Sequence, residues 1–203
     1  MDEVVVTAQK REESLQDTPI SIVAFTPEDL EQKGITGLTD LRSLVPNVQM
    51  TPHPNGAATT MINIRGVGIT DDQITQDPSV AVYLDGIYVA RSQGLAMDIA
   101  ELARVEVLRG PQGSLYGRNA KGGAVNFITL PPTLGEWEFK EQLSFGNRDW
   151  FRNRTAVNVP LGSSVAARLS YLNMSQDGYV RNLGTNVARF GDRDREAWRA
   201  EVG

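Results

Sequence analysis

The segment best suited to bring a bent backbone close to a ligand is residues 105–129. It reads VEVLRGPQGSLYGRNAKGGAVNFIT and contains Gly110, Gly113, Gly117, Gly122 and Gly123. A glycine-rich turn between strand-like runs invites comparison with a phosphate-binding loop. Such a loop ends in glycine, lysine and serine or threonine, and this segment has no such ending. The glycines therefore predict sharp bends or very close packing of the backbone.

No other set of residues has the spacing of a catalytic or metal site. His53 is the only histidine, and the chain has no cysteine. One histidine in a loop cannot support a convincing serine triad, and without a neighbouring cluster it is a poor metal ligand. We therefore expect no enzymatic activity, no bound metal and no cofactor.

The bulk properties narrow the possible functions further. A chain of 203 residues has room for one or two domains with a real core. Its net charge of −5 gives no broad attraction for nucleic acid. No run of eighteen apolar residues exists, so no transmembrane helix is expected. Spanning strands remain possible, because their alternating pattern is a much weaker signal per segment.

The first 130 residues predict a small domain of strands and short helices. Thr26 can cap a helix that begins at Pro27 and carries acids in its first turn, and Gly34 would end it. A second short helix is expected at about residues 38–44, before Pro46. The other predicted elements are a strand at 2–8, a linker at 9–17, strands at 20–25, 61–65 and 104–108, loops at 51–60, 67–79 and 90–98, a helical turn at 99–103, and a hairpin at 80–89 that turns at Asp85-Gly86.

After Pro131-Pro132 the chain changes to strict alternation of apolar and polar residues. A soluble sheet gives the same pattern. An outer-membrane barrel is favoured because the segments are about 9–11 residues long and a short turn at 161–164 alternates with a long segment at 175–195. Aromatic residues also stand where a membrane-interface girdle would lie. These residues are Trp137, Trp150 and Tyr171.

The elements LRGP and LYG and the closing GGAVNFIT closely resemble the end of the plug domain of TonB-dependent outer-membrane receptors. These receptors are active nutrient importers of Gram-negative bacteria. The resemblance covers nearly the whole chain and is supported by residues 2–8, 64–66 and 80–89. It implies an α+β plug domain, a small mixed sheet with short helices, followed by antiparallel transmembrane β-barrel strands. The implied divisions are a TonB-box-like segment and linker at 1–17, the plug at 18–132 and barrel strands at 133–203.

The predicted strands are too few to close a barrel. Residues 135–203 hold three strands and part of a fourth by their alternation. Small outer-membrane barrels have about 8 strands and plugged transporters about 22. An open sheet in lipid would leave unpaired N–H and C=O groups along its edge. We therefore expect a fragment whose barrel is incomplete. The residues after Met1 have neither the basic nor the apolar region of a leader peptide, so we expect either that Met1 is an introduced start or that the chain is a fragment that lost its leader.

The resemblance also implies a partner. Residues Asp2, Glu3, Val4, Val5, Val6, Thr7 and Ala8 look like the TonB box. This extended peptide adds as a strand to the TonB-type periplasmic energy-coupling protein, through main-chain hydrogen bonds. A similar run opens the plug fold itself in many such receptors, and both interpretations of these residues remain open.

Two arginines and three loops complete the implied sites. Arg65 and Arg109 match plug arginines that pair with glutamates on the inner barrel wall, which would dock the plug. The alternative is a surface charge or local ion pair. The apical loops would be 52–60, 67–79 and 90–97. Their candidate substrate contacts are Asp71, Asp72, Gln73, Gln76, Tyr88 and Arg91.

The function implied by the resemblance is energy-coupled uptake of a scarce nutrient across the bacterial outer membrane, with the plug facing the periplasm and the barrel lumen. A ferric siderophore is the commonest substrate of the family, and the siderophore itself chelates the metal. The alternatives are another solute, such as an oligosaccharide, an aromatic compound or cobalamin. For the truncated chain by itself, a soluble binding module without transport activity is the further alternative.

Overall fold

The computed structural model describes residues 4–7, 10–11, 13–33, 35, 38–53, 56–68, 76–90, 101–181, 183–184 and 189–203, with the side chains at 38–40, 56–58 and 189 left out. The chain divides into two compact units. The first unit contains the described residues up to 90 together with Leu102–Thr129, and the second contains Glu101 and Leu130–Gly203.

The first unit is built from ten short strands and three short helical segments among its described residues. The strands are β1 (Val5–Val6), β2 (Glu13–Ser14), β3 (Ile22–Phe25), β4 (Val48–His53), β5 (Gly56–Ile64), β6 (Val67–Gly68), β7 (Val80–Leu84), β8 (Ile87–Tyr88), β9 (Leu102–Arg109) and β10 (Gly123–Thr129). The helices are α1 (Pro27–Gln32), a 3₁₀ helix (Leu38–Ser43) and α2 (Gly113–Tyr116).

A five-stranded mixed sheet forms the centre of this unit, in the order β3-β9-β10-β7-β8. β10 runs parallel to β7 and antiparallel to β9. Strands β9 and β10 are buried over most of their length, as their apolar runs require. This arrangement confirms the predicted α+β domain with a small mixed sheet.

The glycine pair at the start of β10 leaves no room for side chains. A Cβ at Gly122 would lie 2.8 Å from the carbonyl oxygen of Val67, and one at Gly123 would collide with the carbonyl oxygen of Leu108. Gly123 also has a φ of +152°, which side chains disfavour. The predicted close packing of the backbone is therefore confirmed at Gly122 and Gly123. By contrast, a Cβ at Gly113 would meet nothing within 4 Å.

Helix α1 begins as the sequence predicts. The hydroxyl of Thr26 accepts a hydrogen bond from the Asp29 N–H, and the Asp29 carboxylate accepts one from the Thr26 N–H. This reciprocal pair is a capping box. Leu30 is buried against the unit. The hydrogen bond from the Lys33 ammonium, followed by that from the Thr26 backbone, lowers the pKa of the Asp29 carboxyl.

Several predicted boundaries in the first unit are wrong. The segment 51–60 is not a loop, because β4 and β5 pair from Val48↔Ile64 onwards and residues 54–55 lie outside the described part. Pro52 is tolerated because β4 is an edge strand and the register shifts beside it. By contrast, the second short helix is confirmed, as a 3₁₀ helix at Leu38–Ser43.

Two more predictions need correction. The linker at 9–17 contains β2, which pairs with β1. The helical turn at 99–103 is wrong at its last two residues, which open β9. Helix α2 within the glycine-rich segment was not predicted, because four residues give no periodic pattern. The hairpin of β7 and β8, turning at Asp85-Gly86, is confirmed.

The second unit is an antiparallel sheet in the order β11-β12-β13-β16, with a small separate hairpin. Its strands are β11 (Glu138–Gly146), β12 (Trp150–Pro160), β13 (Ala166–Gln176), β14 (Val180–Arg181), β15 (Arg189–Phe190) and β16 (Arg193–Val202). The hairpin of β14 and β15 lies within the segment predicted to be a long loop. The four long strands confirm the predicted antiparallel strands.

The second unit exposes many apolar side chains and buries polar ones. Phe139 and Trp198 are 68% and 65% exposed, whereas Asn158 and Arg168 are almost completely buried. Exposed apolar side chains of this kind are what a lipid-facing strand requires, although Leu172 and Met174 on β13 are buried. Within the described residues, no helix is long and apolar enough to cross a membrane.

Candidate partner-binding site

The N-terminal strand β1 forms a hairpin with β2 and packs on the first unit. Val6 is fully buried, and Val5 beside it is exposed, as alternation along a strand requires. Val6 belongs to a hydrophobic core cluster of the first unit. The buried residues of this cluster are Val6, Ala81, Tyr83, Leu108, Tyr116, Ala120 and Ala124. Residues 4–7 are therefore part of the folded plug unit.

A buried carboxylate binds the end of this strand. Glu106, on β9, has no exposed surface. Its Oε1 accepts the backbone N–H of Thr7 at 2.7 Å and the Thr7 hydroxyl at 3.2 Å. The same oxygen accepts Nε of Arg104 at 2.8 Å, and Oε2 accepts Nδ2 of Asn126 at 3.1 Å. A buried charge requires such partners. Glu106, Thr7, Arg104 and Asn126 are together called here the Glu106 cluster.

Two tyrosines extend the Glu106 cluster towards Lys10. Asn126 Nδ2 also donates to the Tyr116 hydroxyl at 2.8 Å, and the Tyr83 hydroxyl donates to the Tyr116 carbonyl at 2.7 Å. Burial raises the pKa of both tyrosine hydroxyls, so both stay protonated at neutral pH. The Lys10 ammonium lies 4.8 Å and 5.0 Å from the ring centroids of Tyr83 and Tyr116. These cation–π contacts bind the N-terminal segment to the first unit at Lys10, in addition to the bonds at Thr7.

The structure therefore brings together only part of the predicted partner-binding segment. Val4, Val5, Val6 and Thr7 are described, while Asp2, Glu3 and Ala8 lie outside the described residues. Their role as a partner-binding strand stays a prediction. Sequence reasoning missed Glu106, whose one signal is a lone acid in the apolar run VEVL.

The two predicted docking arginines lie close to each other. The Arg65 guanidinium donates to the Ser21 hydroxyl at 3.1 Å, and its Nη1 lies 3.3 Å from where a Cβ on Gly110 would stand. Arg109 donates from Nη1 to the Pro46 carbonyl at 3.4 Å, and its buried Nε has no hydrogen-bond partner. Among the described residues, neither makes a salt bridge. Their docking role stays a prediction.

The predicted substrate contacts divide into two groups. Asp71, Asp72, Gln73 and Arg91 lie outside the described residues. Gln76 is exposed just before β7. Tyr88 lies in β8, where its hydroxyl accepts a hydrogen bond from Asn119 at 2.8 Å and its ring lies 5.5 Å from that of Tyr83. Tyr88 thus packs against the cluster that contains Val6. The substrate role of all these residues stays a prediction.

A second buried ion cluster lies in the second unit. Arg168, on β13, donates from Nε and Nη2 to the two carboxylate oxygens of Glu101 at 2.7 Å and 2.6 Å. Arg168 Nη1 donates to Glu138 at 2.9 Å, and the Ser170 hydroxyl donates to Glu101 at 3.2 Å. This bidentate arrangement is called here the Glu101 cluster. Sequence reasoning did not find it.

No metal centre is formed in the part of the chain that the structure describes. No group of three or more histidine, aspartate or glutamate side chains there could hold an ion. His53 lies at the end of β4, and its neighbours offer no such group.

The mixed sheet, the close glycine pair and the exposed apolar side chains of the second sheet agree with the class of outer-membrane receptors that the sequence resembles. The chain matches the family described as "TonB-dependent Receptor Plug Domain" over residues 14–124, which is more than half of its length. The chain therefore belongs to this family.

Relatives support the assignment along nearly the whole chain. The pesticin receptor of Yersinia pestis is 28% identical over 202 residues, covering 98% of this chain and 28% of that protein. The iron-regulated outer membrane virulence protein of Vibrio cholerae is 34% identical over 147 residues, covering 70% and 22%. The vitamin B12 transporter BtuB of Vibrio vulnificus is 26% identical over 196 residues, covering 94% and 30%. The chain thus spans less than a third of the length of these relatives.

The fold is similar to that of a solved receptor. The ferric yersiniabactin uptake receptor FyuA of Yersinia pestis superimposes with a TM-score of 0.80 at 24% identity, covering 90% of this chain and 28% of that one. At this identity the likeness shows the fold alone.

Proposed function

We propose that this chain acts in energy-coupled uptake of a scarce nutrient across the bacterial outer membrane, as a transporter rather than an enzyme. The observation that carries the proposal is the plug-family match over residues 14–124, in a chain whose later strands expose apolar side chains. Lipid of the outer membrane would contact those side chains. The plug would face the periplasm and the barrel lumen.

The periplasmic partner in this proposal is a TonB-type energy-coupling protein. Residues 2–8 would bind it by adding as a strand, which requires only main-chain hydrogen bonds from an extended peptide. The position of residues 4–7 within the plug unit supports a two-state mechanism. In one state the segment is docked, and in the other it is available to the partner.

Arg65 and Arg109 have the properties of docking residues in this mechanism. Both lack a salt bridge among the described residues, and Nε of Arg109 is buried without a hydrogen-bond partner. For Arg109, whose Nε is buried, a carboxylate partner would be especially favourable, because an unpaired buried charge is strongly unfavourable. Arg65 is exposed, so its guanidinium would be accessible to a carboxylate of the barrel. We therefore assign their partners to glutamates on the inner wall of a barrel.

The proposed substrate is a ferric siderophore. A relative that is 34% identical is named an iron-regulated outer membrane virulence protein, which supports iron as the cargo. The siderophore chelates the metal, so the plug needs no iron ligands of its own. Contacts would come from Asp71, Asp72, Gln73, Gln76 and Arg91, and from Tyr88 on β8. The vitamin B12 transporter among the relatives supports cobalamin as the second candidate.

Uptake in cells tests this proposal. Cells that lack their own receptors would express the intact protein and receive either radiolabelled ferric siderophore or cyanocobalamin. We expect accumulation of one of the two, and its loss when the TonB gene is deleted or when residues 2–8 are removed. Calorimetric titration with the TonB periplasmic domain would measure the same deletion directly. Accumulation that is indifferent to both deletions would refute the proposal.

A further inference from the structure

The geometry of the N-terminal strand points to a competition for one backbone donor. We propose that Glu106 holds residues 4–7 in the plug by occupying the N–H of Thr7, which an added partner strand would need. Binding of Glu106 and binding of the partner to this segment then exclude each other. The inference rests on the proposed role of residues 2–8 as the partner-binding strand, and it assigns the residue that controls their availability.

One edge of β1 is already occupied by β2. The register pairs Val5 with Ser14 and Val6 with Glu13, and the Leu15 N–H donates to the Val4 carbonyl at 2.9 Å. Hydrogen-bonded pairs alternate along an antiparallel ladder. The backbone groups of Val4 and Val6 therefore point to β2, and those of Val5 and Thr7 point to the opposite edge.

The opposite edge is occupied by Glu106 at Thr7. The Thr7 N–H lies 2.7 Å from the carboxylate oxygen, and the Glu106 side chain is fully buried. At this position the edge of β1 faces the interior of the unit rather than solvent. A partner strand cannot pair with Thr7 while this bond exists, because a single N–H has one hydrogen to donate.

Glu106 is well placed to hold this bond. Arg104 and Asn126 bind its carboxylate without involving Thr7, so the acid is in position whether or not the strand is docked. A bond from an N–H to an ionised carboxylate is stronger than one to a neutral carbonyl. Arg104 Nη2 also donates to the Thr7 hydroxyl at 3.1 Å. Glu106 therefore binds the backbone and the side chain of Thr7, and Arg104 binds its side chain as well.

The competition has a measurable consequence for affinity. A partner that binds only the released segment has an apparent affinity reduced by the fraction of molecules in which the segment is released. Weakening the Glu106 bond raises that fraction. It should therefore tighten partner binding without any change in the partner-binding residues themselves.

The experiment replaces Glu106 by glutamine in the intact protein, purified in detergent. Glu106→Gln keeps the side-chain volume and removes the charge. Val5→Cys, in the cysteine-free 203 residues, carries a nitroxide on an exposed position of β1. We expect Glu106→Gln to raise the population of mobile label about tenfold and to lower the Kd for the TonB periplasmic domain by a similar factor.

Two further variants make the result specific. Glu101→Gln removes the charge of the other buried glutamate cluster, and it should leave the label spectrum unchanged. Thr7→Val removes the hydroxyl bonds to Glu106 and Arg104 but keeps the N–H. It should mobilise the label less than Glu106→Gln does. It also provides the test if Glu106→Gln does not fold.

The outcomes separate this inference from the proposed function. A mobile label with tighter partner binding supports both. A mobile label in a protein that never binds TonB supports control by Glu106 and refutes the partner-binding role of residues 2–8. A label that stays immobile in folded Glu106→Gln and in Thr7→Val overturns control by Glu106, even if the partner binds every variant.

Discussion

Glu101 and Glu106 lie five positions apart in the sequence, yet they serve buried clusters in different units of the molecule. The Glu101 carboxylate is bound by side chains, the guanidinium of Arg168 and the hydroxyl of Ser170. The Glu106 carboxylate binds the backbone N–H of Thr7, directly after the two-residue strand β1, as well as side chains. Arg168 lies on β13, a strand of 11 residues, whereas β1 has only 2 residues.

This difference separates a structural ion cluster from one that can control a segment. Breaking the Glu101 cluster leaves the Glu101 carboxylate buried without its bidentate partner. Breaking the Glu106–Thr7 bond frees a short hairpin strand while Arg104 and Asn126 still stabilise the acid. In the mechanism that we propose, the same residue type thus contributes to rigidity in one unit and to a two-state equilibrium in the other.

The largest effect is expected from Arg168→Ala. The substitution leaves Glu101 buried without its bidentate partner, which should destabilise the second unit by about 3–5 kcal/mol. Hydrogen exchange of the β13 and β16 amides in the intact protein measures this loss. Lys140→Ala, which removes an exposed cation on β11, is the matched control and should have little effect. Equal exchange in both variants would mean that the Glu101 cluster has no structural role.

A double substitution sharpens the same test. Glu101→Leu with Arg168→Met replaces the ion pair by apolar side chains of similar size. Buried pairs replaced in this way often lose little or no stability. We expect the double variant to be clearly more stable than Arg168→Ala, by the same exchange measurement. A double variant as unstable as Arg168→Ala would indicate that the charges do more than balance each other.

The second largest effect is expected from Gly123→Ala. The glycine sets the β9–β10 register that places Asn126 opposite Glu106, and an added methyl group collides with the Leu108 carbonyl. Overpacking of this kind destabilises by about 1–3 kcal/mol, and the positive φ adds to it. Exchange of the β9 and β10 amides should accelerate accordingly. The matched control is Gly113→Ala, because a Cβ there meets nothing within 4 Å. Comparable exchange in both variants would contradict the proposed role of Gly123 in the β9–β10 register.

Elements with local determinants could be predicted from the sequence, and the two buried clusters could not. Helix α1 and the hairpin at Asp85-Gly86 depend on capping and turn residues within a few positions. The strand character of residues 51–53 and 56–60 depends on pairing, and the prolines and glycine of this segment suggested a loop.

The Glu106 cluster illustrates what sequence reasoning lacks. Thr7 reaches Glu106 across 99 positions and Asn126 across 20. A lone acid in an apolar strand signals that a partner is needed, because a buried carboxylate cannot remain unpaired. It does not identify that partner. The resemblance of residues 2–8 to a partner-binding segment was visible, but the residue that occupies its backbone donor emerges only from the fold.

A smaller effect on stability is expected from a substitution at Tyr83, which lies beside the Glu106 cluster. Tyr83→Phe removes the hydrogen bond to the Tyr116 carbonyl and should destabilise the first unit by about 1 kcal/mol. The Lys10 contact to both rings remains possible, so the nitroxide at position 5 should stay largely immobile. Exchange at β7 measures the stability change. A label as mobile as in Glu106→Gln would assign control of the strand to the tyrosines instead.

The smallest effect concerns Asp29, an acid that is partly exposed and therefore contrasts with both buried glutamates. Its pKa is lowered from the ordinary value of 3.8, chiefly by the hydrogen bond from Lys33. The folded state thus binds the proton less readily than the unfolded state does. The stabilisation is present above the ordinary pKa and is lost as the pH falls through the lower folded value.

Lys33→Met tests this contribution of Asp29. Solvent screens an exposed ion pair, so the loss at neutral pH should be only about 0.3–0.5 kcal/mol. The loss should shrink as acid protonates Asp29, and exchange of the α1 amides at several pH values measures it. Thr26→Ala is the comparison, because it removes the cap and should destabilise the helix by about 1 kcal/mol. A Lys33→Met effect that grows below the ordinary pKa would have the wrong sign for a lowered pKa. An effect that does not change with pH would assign the role of Lys33 to its contact with the Phe25 ring, which does not titrate.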